Sequence, residues 1–332
     1  EQIINLVGNA KDMNLADAVL YQNMTVIGFP FLGVSIATFY AFRAMGENKI
    51  PMIGNTLALV LKIILNFLLV YLFKWGIFGA ALSTTLTRLF SAIFSIYLVF
   101  WSKKNWISLE LKDLKFDYFT SKRILKVGIP AAVEQLGLRI GMLIFEMMVI
   151  SLGNLSYAAH KIALTAESIS FNLGFAFSFA ASALVGQELG KGSSQKALKD
   201  GYICTIIAMI VMSTFGLTFF IMPQFLVSLF TKDKKVIELA TTALKIVSIC
   251  QPFSGASMVL AGSLRGAGDT KSVLLITYLG IFIIRIPITY LFLDVLNFGL
   301  AGAWIVMTID LVIRSSLAFY VFRRGKWRYI EV

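Results

Sequence analysis

Apolar residues run along this chain in long blocks separated by short polar stretches. Nine blocks stand out, at about 21–42, 52–73, 77–101, 127–152, 157–186, 202–222, 240–262, 273–293 and 300–322. Each is close to the roughly 20 residues that an α-helix needs to cross a bilayer. In hydrocarbon a segment must satisfy its backbone hydrogen bonds internally, so blocks of this length predict helices. The pattern therefore predicts an all-α polytopic membrane protein. Composition agrees: only 14% of the 332 residues are charged and 58% are hydrophobic, with a mean hydropathy of +0.81. Soluble domains carry about 25% charged residues.

The net charge of +12 raises the question of a nucleic-acid partner, which its distribution answers. Threading nine helices puts the connections 43–51, 102–126, 187–201 and 263–272, and the tail from Arg323, on one face. That face holds 18 of the 30 Lys and Arg, and the opposite face holds five. Such an excess marks the cytoplasmic side. The expectation is a multi-pass protein of the plasma membrane with its C-terminus inside and no nucleic-acid partner. Nine crossings then place Glu1 outside, and no signal-peptide pattern precedes it. The chain is accordingly expected to lack an odd number of upstream helices. Cys204 and Cys250 sit in apolar surroundings and imply no disulfide framework.

Two of the polar stretches resemble each other. "FRAMGENK" (42–49) and "LRGAGDTK" (264–271) share Arg43/Arg265, Gly46/Gly268 and Lys49/Lys271, and keep an acid at Glu47/Asp269. The same offset of 222 aligns Pro30 with Pro252 and Gly33 with Gly255; after one inserted residue, Gly76, Gly79 and Ala80 match Gly299, Gly302 and Ala303. Lys62 then faces Arg285. Helices one to three thus repeat as seven to nine, in parallel, as internal repeats do in transporters. The expected organisation is a partial N-lobe over 1–101, an amphipathic cytoplasmic linker over 102–126 and a complete six-helix C-lobe over 127–332. Nine of twelve helices would be present.

The stretches "GIPAAVEQ" (128–135), "AAHKIAL" (158–164), "ASALVGQELGKG" (181–192) and "QPFSGASMVLAGSLRGAGDTK" (251–271), with "GIFGAALSTTLTR" (76–88), carry a further resemblance. The whole chain resembles the multidrug and toxic compound extrusion (MATE) family. That resemblance implies two six-helix lobes around a central cavity, and export of drugs or metabolites against a Na⁺ or H⁺ gradient. It also implies that three opening helices precede this sequence. Some members place an Asn and an Asp one turn apart in the fifth helix as a cation site; the matching positions here are Lys62 and Asn66. Others use an Asp in the tenth helix, where this chain has Ser254. The chain departs from both patterns, so neither Na⁺ site is carried over.

Ionisable groups inside a bilayer cost roughly 2.5–3.5 kcal/mol on insertion scales, so each is a functional candidate. Four acids qualify as sites of proton or cation coupling: Glu134, Glu146, Glu167 and Asp310. Asp310 and Arg314 are spaced i,i+4 and are expected to pair directly. Glu146 leads the others, because a carboxylate in a low-dielectric cavity takes up a proton, or Na⁺ where further oxygens converge. Glu167 is a candidate second ligand. The alternative is that Arg139 and Arg285 hold these acids as interior salt bridges. Glu134, four residues after Pro130, is placed at the cytoplasmic entrance. Lys62 and Arg88 lie in helices without a buried acid, so an acidic partner is expected upstream.

The remaining features read more plainly. His160 is the single histidine and is assigned a helix-end role. "GQELGKG" lacks the spacing of a phosphate loop. Pro30, Pro252 and Pro287 are expected to kink helices, and "RRGKWR" (323–328) to anchor the C-terminus. With no metal-ligand cluster and no nucleophile–base motif, an enzyme is not expected, and no cofactor beyond Na⁺ or H⁺. The leading function is a monomeric antiporter that exports organic, mainly cationic, compounds by alternating access. Its other partners would be membrane lipids. The rival is a lipid-linked precursor flippase of the same superfamily, kept open by Lys62, Arg88, Arg139 and Arg285.

Overall fold

The computed structural model describes residues 15–100 and 117–330, and these are helical almost throughout. The chain divides into two compact units, 1–116 and 117–332. Residues 101–116, which hold most of the expected linker, lie outside the described residues.

In the first unit, α1 (Leu15–Ile27) and α2 (Phe29–Ala44) are followed by α3 (Lys49–Asn66), a π-helical turn (Phe67–Leu72) and α4 (Gly76–Phe100). α1, α2 and α3 all pack on α4. Small residues on α4 (Gly79, Ala81, Ser83, Thr87, Ala92, Ser95) form its buried stripe, which lets neighbouring backbones approach closely.

The second unit begins with α5 (Tyr118–Ile150), α6 (Asn154–Gly190), α7 (Ser194–Ile221) and the short α8 (Pro223–Ser228). α9 (Lys234–Ser248) and α10 (Gln251–Gly266) come next, then α11 (Thr270–Tyr278) and a π turn (Leu279–Arg285). α12 (Ile286–Tyr290), a second π turn (Leu291–Val295) and α13 (Gly299–Arg324) complete it. α10 lies at the centre, against α6, α7 and α13. At the end of α13, Gly325 turns the chain and Trp327 stacks on Phe322 at 4.8 Å, its Nε1 donating to the Phe322 carbonyl at 2.8 Å. "RRGKWR" is therefore a docked turn.

Among the described residues six helices are long and apolar enough to cross a membrane, or up to eight if each bent pair forms one span. The nine apolar blocks all fall on helices. The ninth is α5, 33 residues long or about 50 Å, which carries more charge than the others. It opens at Tyr118, ahead of the apolar block that begins at 127, because Asp117 caps it. Asp117 accepts from the Thr120 hydroxyl at 2.5 Å and the Phe119 N–H at 2.9 Å. These bonds hold its carboxyl below the usual carboxylate range. The cap therefore contributes fully above the unfolded-state value and is lost as the pH falls through the folded one.

The two bent pairs are α1–α2, at 48°, and α9–α10, at 59°. Pro30 and Pro252 each occupy the second position of the helix after the bend, where a proline's missing N–H costs nothing. They begin helices and do not kink them from within.

The internal repeat extends to backbone conformation. Gly28 N donates to Thr25 O and Cys250 N to Val247 O, both at 3.1 Å. In the polar loops, Gly46 and Gly268 take left-handed φ of 86° and 81°, and Gly46 N and Gly268 N donate to the carbonyls of Arg43 and Arg265, both at 3.0 Å. Further on, Lys74 and Asn297 adopt φ of 56° and 55°. The offset grows from 222 to 223 between Lys49/Lys271 and these residues. The extra residue falls where the second copy has the π turn Leu279–Arg285 and the first has plain α3. A π turn accommodates one added residue in a helix and is found often at functional sites.

Candidate functional site

Arg285 ends that π turn, and it meets the buried acid of α13. Asp310 is fully buried, and its Oδ2 accepts from Arg285 Nη2 at 2.7 Å and Arg314 Nη2 at 2.8 Å. The i,i+4 pair is present as expected, with Arg285 added to it. Gly280, on the same π turn, makes room: a Cβ there would collide with Asp310 Oδ1 and Arg314 Cδ. The Arg285 guanidinium stands 5.5 Å from the Phe145 ring centre. Phe145 and Trp304 in turn meet His160 edge-on, at 5.8 and 5.6 Å. His160 is thus a core residue two turns into α6, because Asn154 opens the helix six residues earlier. Among the described residues, Asp310 Oδ1, Arg285 Nε and Arg314 Nε make no hydrogen bond.

Glu167 lies on α6, seven residues after His160 and so on the same face two turns on. It is 2% exposed and forms no ion pair among the described residues. Its partner is Gln251, whose Nε2 donates at 3.4 Å and whose Oε1 accepts from Ser170 Oγ at 2.9 Å. Gln251 reaches this place because the chain bends between α9 and α10, which makes it the first residue of α10. Ser254, one turn on, is also buried, with its Oγ 3.9 Å from Cys250 Sγ.

Glu134 belongs to a second cluster, at the loop end of the unit. It is 1% exposed and accepts from Arg265 Nη2 at 2.5 Å and Thr277 Oγ1 at 3.3 Å. Thr270 Oγ1 donates to Val127 O and Tyr278 OH to Val133 O, both at 3.1 Å. The loop "LRGAGDTK" is therefore fastened to α5 through a buried carboxylate. The sequence showed Arg265 only as a repeated loop position, and that repetition was the available signal of its role.

Glu146 stands elsewhere. It pairs with Lys161 and accepts from Tyr157 OH at 2.8 Å, with its side chain 32% exposed. α5 and α6 form a hairpin that brings the last turns of one against the first turns of the other. Arg139 is exposed, three turns from the end of α5. Glu146 and Glu167 thus belong to different clusters, and Glu146 takes Lys161 as its partner where Arg139 was the alternative.

In the first unit, Arg88 Nη1 donates to Thr25 O at 2.6 Å, and its guanidinium lies 5.0 Å from the Phe29 ring centre. Its partner is a backbone carbonyl at the helix break, which also accepts from Gly28 N. Asn66 Oδ1 accepts from Ser83 Oγ at 2.6 Å, and Lys62, one turn earlier, is partly exposed.

The family model MatE matches residues 130–291. A "Probable multidrug resistance protein NorM" of Thermotoga maritima is 30% identical over 98% of this chain and 70% of its own length. A protein of the same description from Pasteurella multocida is 29% identical over 92% of this chain and 68% of its own length. Among solved structures, "Crystal structure of MATE in complex with MaL6" superposes with a TM-score of 0.89 at 20% identity, covering 96% of this chain and 71% of that one. "Outward-facing conformation of a multidrug resistance MATE family transporter of the MOP superfamily" gives 0.86 at 20%, over 92% and 69%. The helical fold, the motifs and this relationship agree: the chain belongs to the MATE family of efflux transporters.

Proposed function

We propose that the protein is a multidrug exporter that couples outward movement of organic, mainly cationic, compounds to inward movement of H⁺ or Na⁺, with Glu167 as the coupling acid. The observation that carries this is the setting of Glu167. Its carboxyl is buried beside a break in a span, has an amide as its side-chain partner, and among the described residues lacks the cation that the other three candidate acids have. A carboxylate so placed in low dielectric needs a mobile positive charge, supplied by a proton or by Na⁺. Glu146, Glu134 and Asp310 already hold Lys161, Arg265, and Arg285 with Arg314. Those three acids are therefore read as structural.

The names of the NorM relatives support drugs as the exported class. The charge asymmetry of the loops supports a plasma-membrane protein with its C-terminus inside. The flippase alternative called for free interior cations, and two of its four are engaged: Arg88 on Thr25 O and Arg285 on Asp310.

The test is efflux of a cationic dye from proteoliposomes under a pH gradient or a Na⁺ gradient, each imposed alone. One gradient is expected to drive efflux, Glu167→Gln to abolish it, and Glu146→Gln to leave it within about threefold. Efflux that survives Glu167→Gln would reject Glu167 as the coupling acid. No efflux under either gradient would favour the flippase.

A further inference from the structure

We propose that Arg285 changes partner, from Asp310 to Glu167, when Glu167 loses its proton, and that this exchange ties the coupling site to the π turn Leu279–Arg285. The inference rests on the reading of Glu167 as the coupling acid. Apart from the Glu134–Arg265 pair, the interior spans of the second unit hold two guanidinium groups, Arg285 and Arg314, and two carboxyl groups, Asp310 and Glu167. With both acids ionised, the least costly arrangement gives each one arginine, because an uncompensated buried charge costs several kcal/mol. The structure shows both arginines on the single Oδ2 of Asp310 and none on Glu167. That is the arrangement suited to a protonated Glu167.

Three features make the exchange feasible. Asp310 keeps a partner when Arg285 leaves, since Arg314 sits one turn away on the same helix at 2.8 Å. Arg285 has spare donor capacity, its Nε being buried without a partner. It also stands beside α6: its guanidinium covers Phe145, which touches His160 on the helix face that carries Glu167.

The other ionisable groups on the neighbouring elements are His160 and Lys161 on α6, Cys250 at the break, Arg314 on α13, and Glu134 and Glu146 on α5. Of these, Glu134 and Glu146 already have cations of their own.

The step is a proton transfer. The O–H bond of the Glu167 carboxyl breaks, the proton leaves to water, and the electron pair stays on the carboxylate. The Arg285–Asp310 ion pair is then replaced by an Arg285–Glu167 pair. Arg285 is the last residue of the π turn and Gly280, on the same turn, touches Asp310 and Arg314. Moving Arg285 therefore pulls on a helical turn whose hydrogen bonding is already irregular, as hinges often are.

Infrared difference spectra of the full chain in lipid, recorded between acid and alkaline buffer, test this. The wild type should show a protonated carboxyl band in acid that disappears as the pH rises, and Glu167→Gln should remove it. Asp310→Asn frees Arg285 for Glu167, so the band should be weak even in acid. Arg285→Gln leaves Glu167 without a cation, so the band should persist in alkali, whereas Arg285→Lys should resemble the wild type. The two midpoints should move in opposite directions, by at least about one pH unit each. Fixed charges alone would also oppose the two shifts. The exchange itself is therefore read from the Asp310 carboxylate stretch, identified by its loss in Asp310→Asn. In the wild type it should shift in step with the Glu167 band as Arg285 leaves, and a stretch that stays constant would overturn the exchange. Midpoints that stay fixed or move together would overturn the exchange while leaving Glu167 as the proton site. A band that survives Glu167→Gln removes the underlying reading and the exchange with it. If Arg285→Gln does not fold, the nearly isosteric Asp310→Asn decides alone, and an unmoved midpoint there overturns the proposal.

Discussion

At the scale of single residues, the second unit is organised by which buried acids own a cation. Glu134 does so at the loop end, where Arg265 holds it together with Thr277. Removing the arginine leaves a carboxylate 1% exposed without its counter-charge. Because the guanidinium itself is about one-third exposed, Arg265→Gln is expected to cost up to about 3 kcal/mol, the low end for a broken buried pair. Its thermal midpoint should fall, and adding Glu134→Gln should restore part of the loss; a further fall would show that the pair is not the cause. Gly280 offers a steric counterpart. Gly280→Ala drives a methyl into Asp310 and Arg314 and should cost about 1–3 kcal/mol. Gly33→Ala, where a Cβ meets nothing, should be nearly silent, and equal effects would deny Gly280 any special role. Some of this was legible in the sequence. The spacing of Asp310 and Arg314 gave their pairing directly. The partner of Glu146 was not legible, because Lys161 reaches it across a hairpin whose exact turn no spacing rule fixes.

At the scale of elements, the nine apolar blocks become helices because nothing else satisfies the backbone in hydrocarbon. Periodicity could not show the breaks. Pro30 and Pro252 were visible as prolines, but whether a proline kinks a helix or starts one depends on the residue before it, and here Phe29 and Gln251 open new helices. The π turn was hidden for a related reason: one added residue looks like a change of alignment offset, and a plain α-helix rotates about 100° per residue. That residue is what aims Arg285 at Asp310. Deleting Ile283, an exposed residue of the π turn, should return the segment to the register of α3 and turn Arg285 away. The expected result is a protein with a lower thermal midpoint and at least about tenfold less dye efflux. A variant with wild-type stability and efflux would mean that the π turn is incidental.

At the scale of the whole molecule, backbone angles and hydrogen bonds repeat between the two units at the bend, at the loop and at the π turns Phe67–Leu72 and Leu291–Val295, so the loops "FRAMGENK" and "LRGAGDTK" are the visible part of a longer duplication. The repeat and the apolar blocks were enough to place the chain in a transporter class, and the MATE motifs to name the family, because these features are local in sequence. The coupling acid was less legible: Glu146 led on position, and only the three-dimensional pairing of Lys161 with Glu146 left Glu167 as the one of the four candidate acids without a cation among the described residues. Orientation has its own test. A cysteine at Lys326, on the docked C-terminal turn, should react with an impermeant thiol reagent only in inside-out vesicles; labelling in right-side-out vesicles would reverse the proposed topology.

The most direct test of the central claim is to count protons released when a cationic dye binds the purified protein in weakly buffered solution. If substrate and proton compete through Glu167, binding one must reduce affinity for the other by linkage. About one proton per dye should appear in the wild type and in Glu146→Gln, and none in Glu167→Gln; with Na⁺ as the coupling ion, dye should instead displace bound Na⁺ and Glu167→Gln should bind none. Ion release that is unchanged in Glu167→Gln would contradict the account.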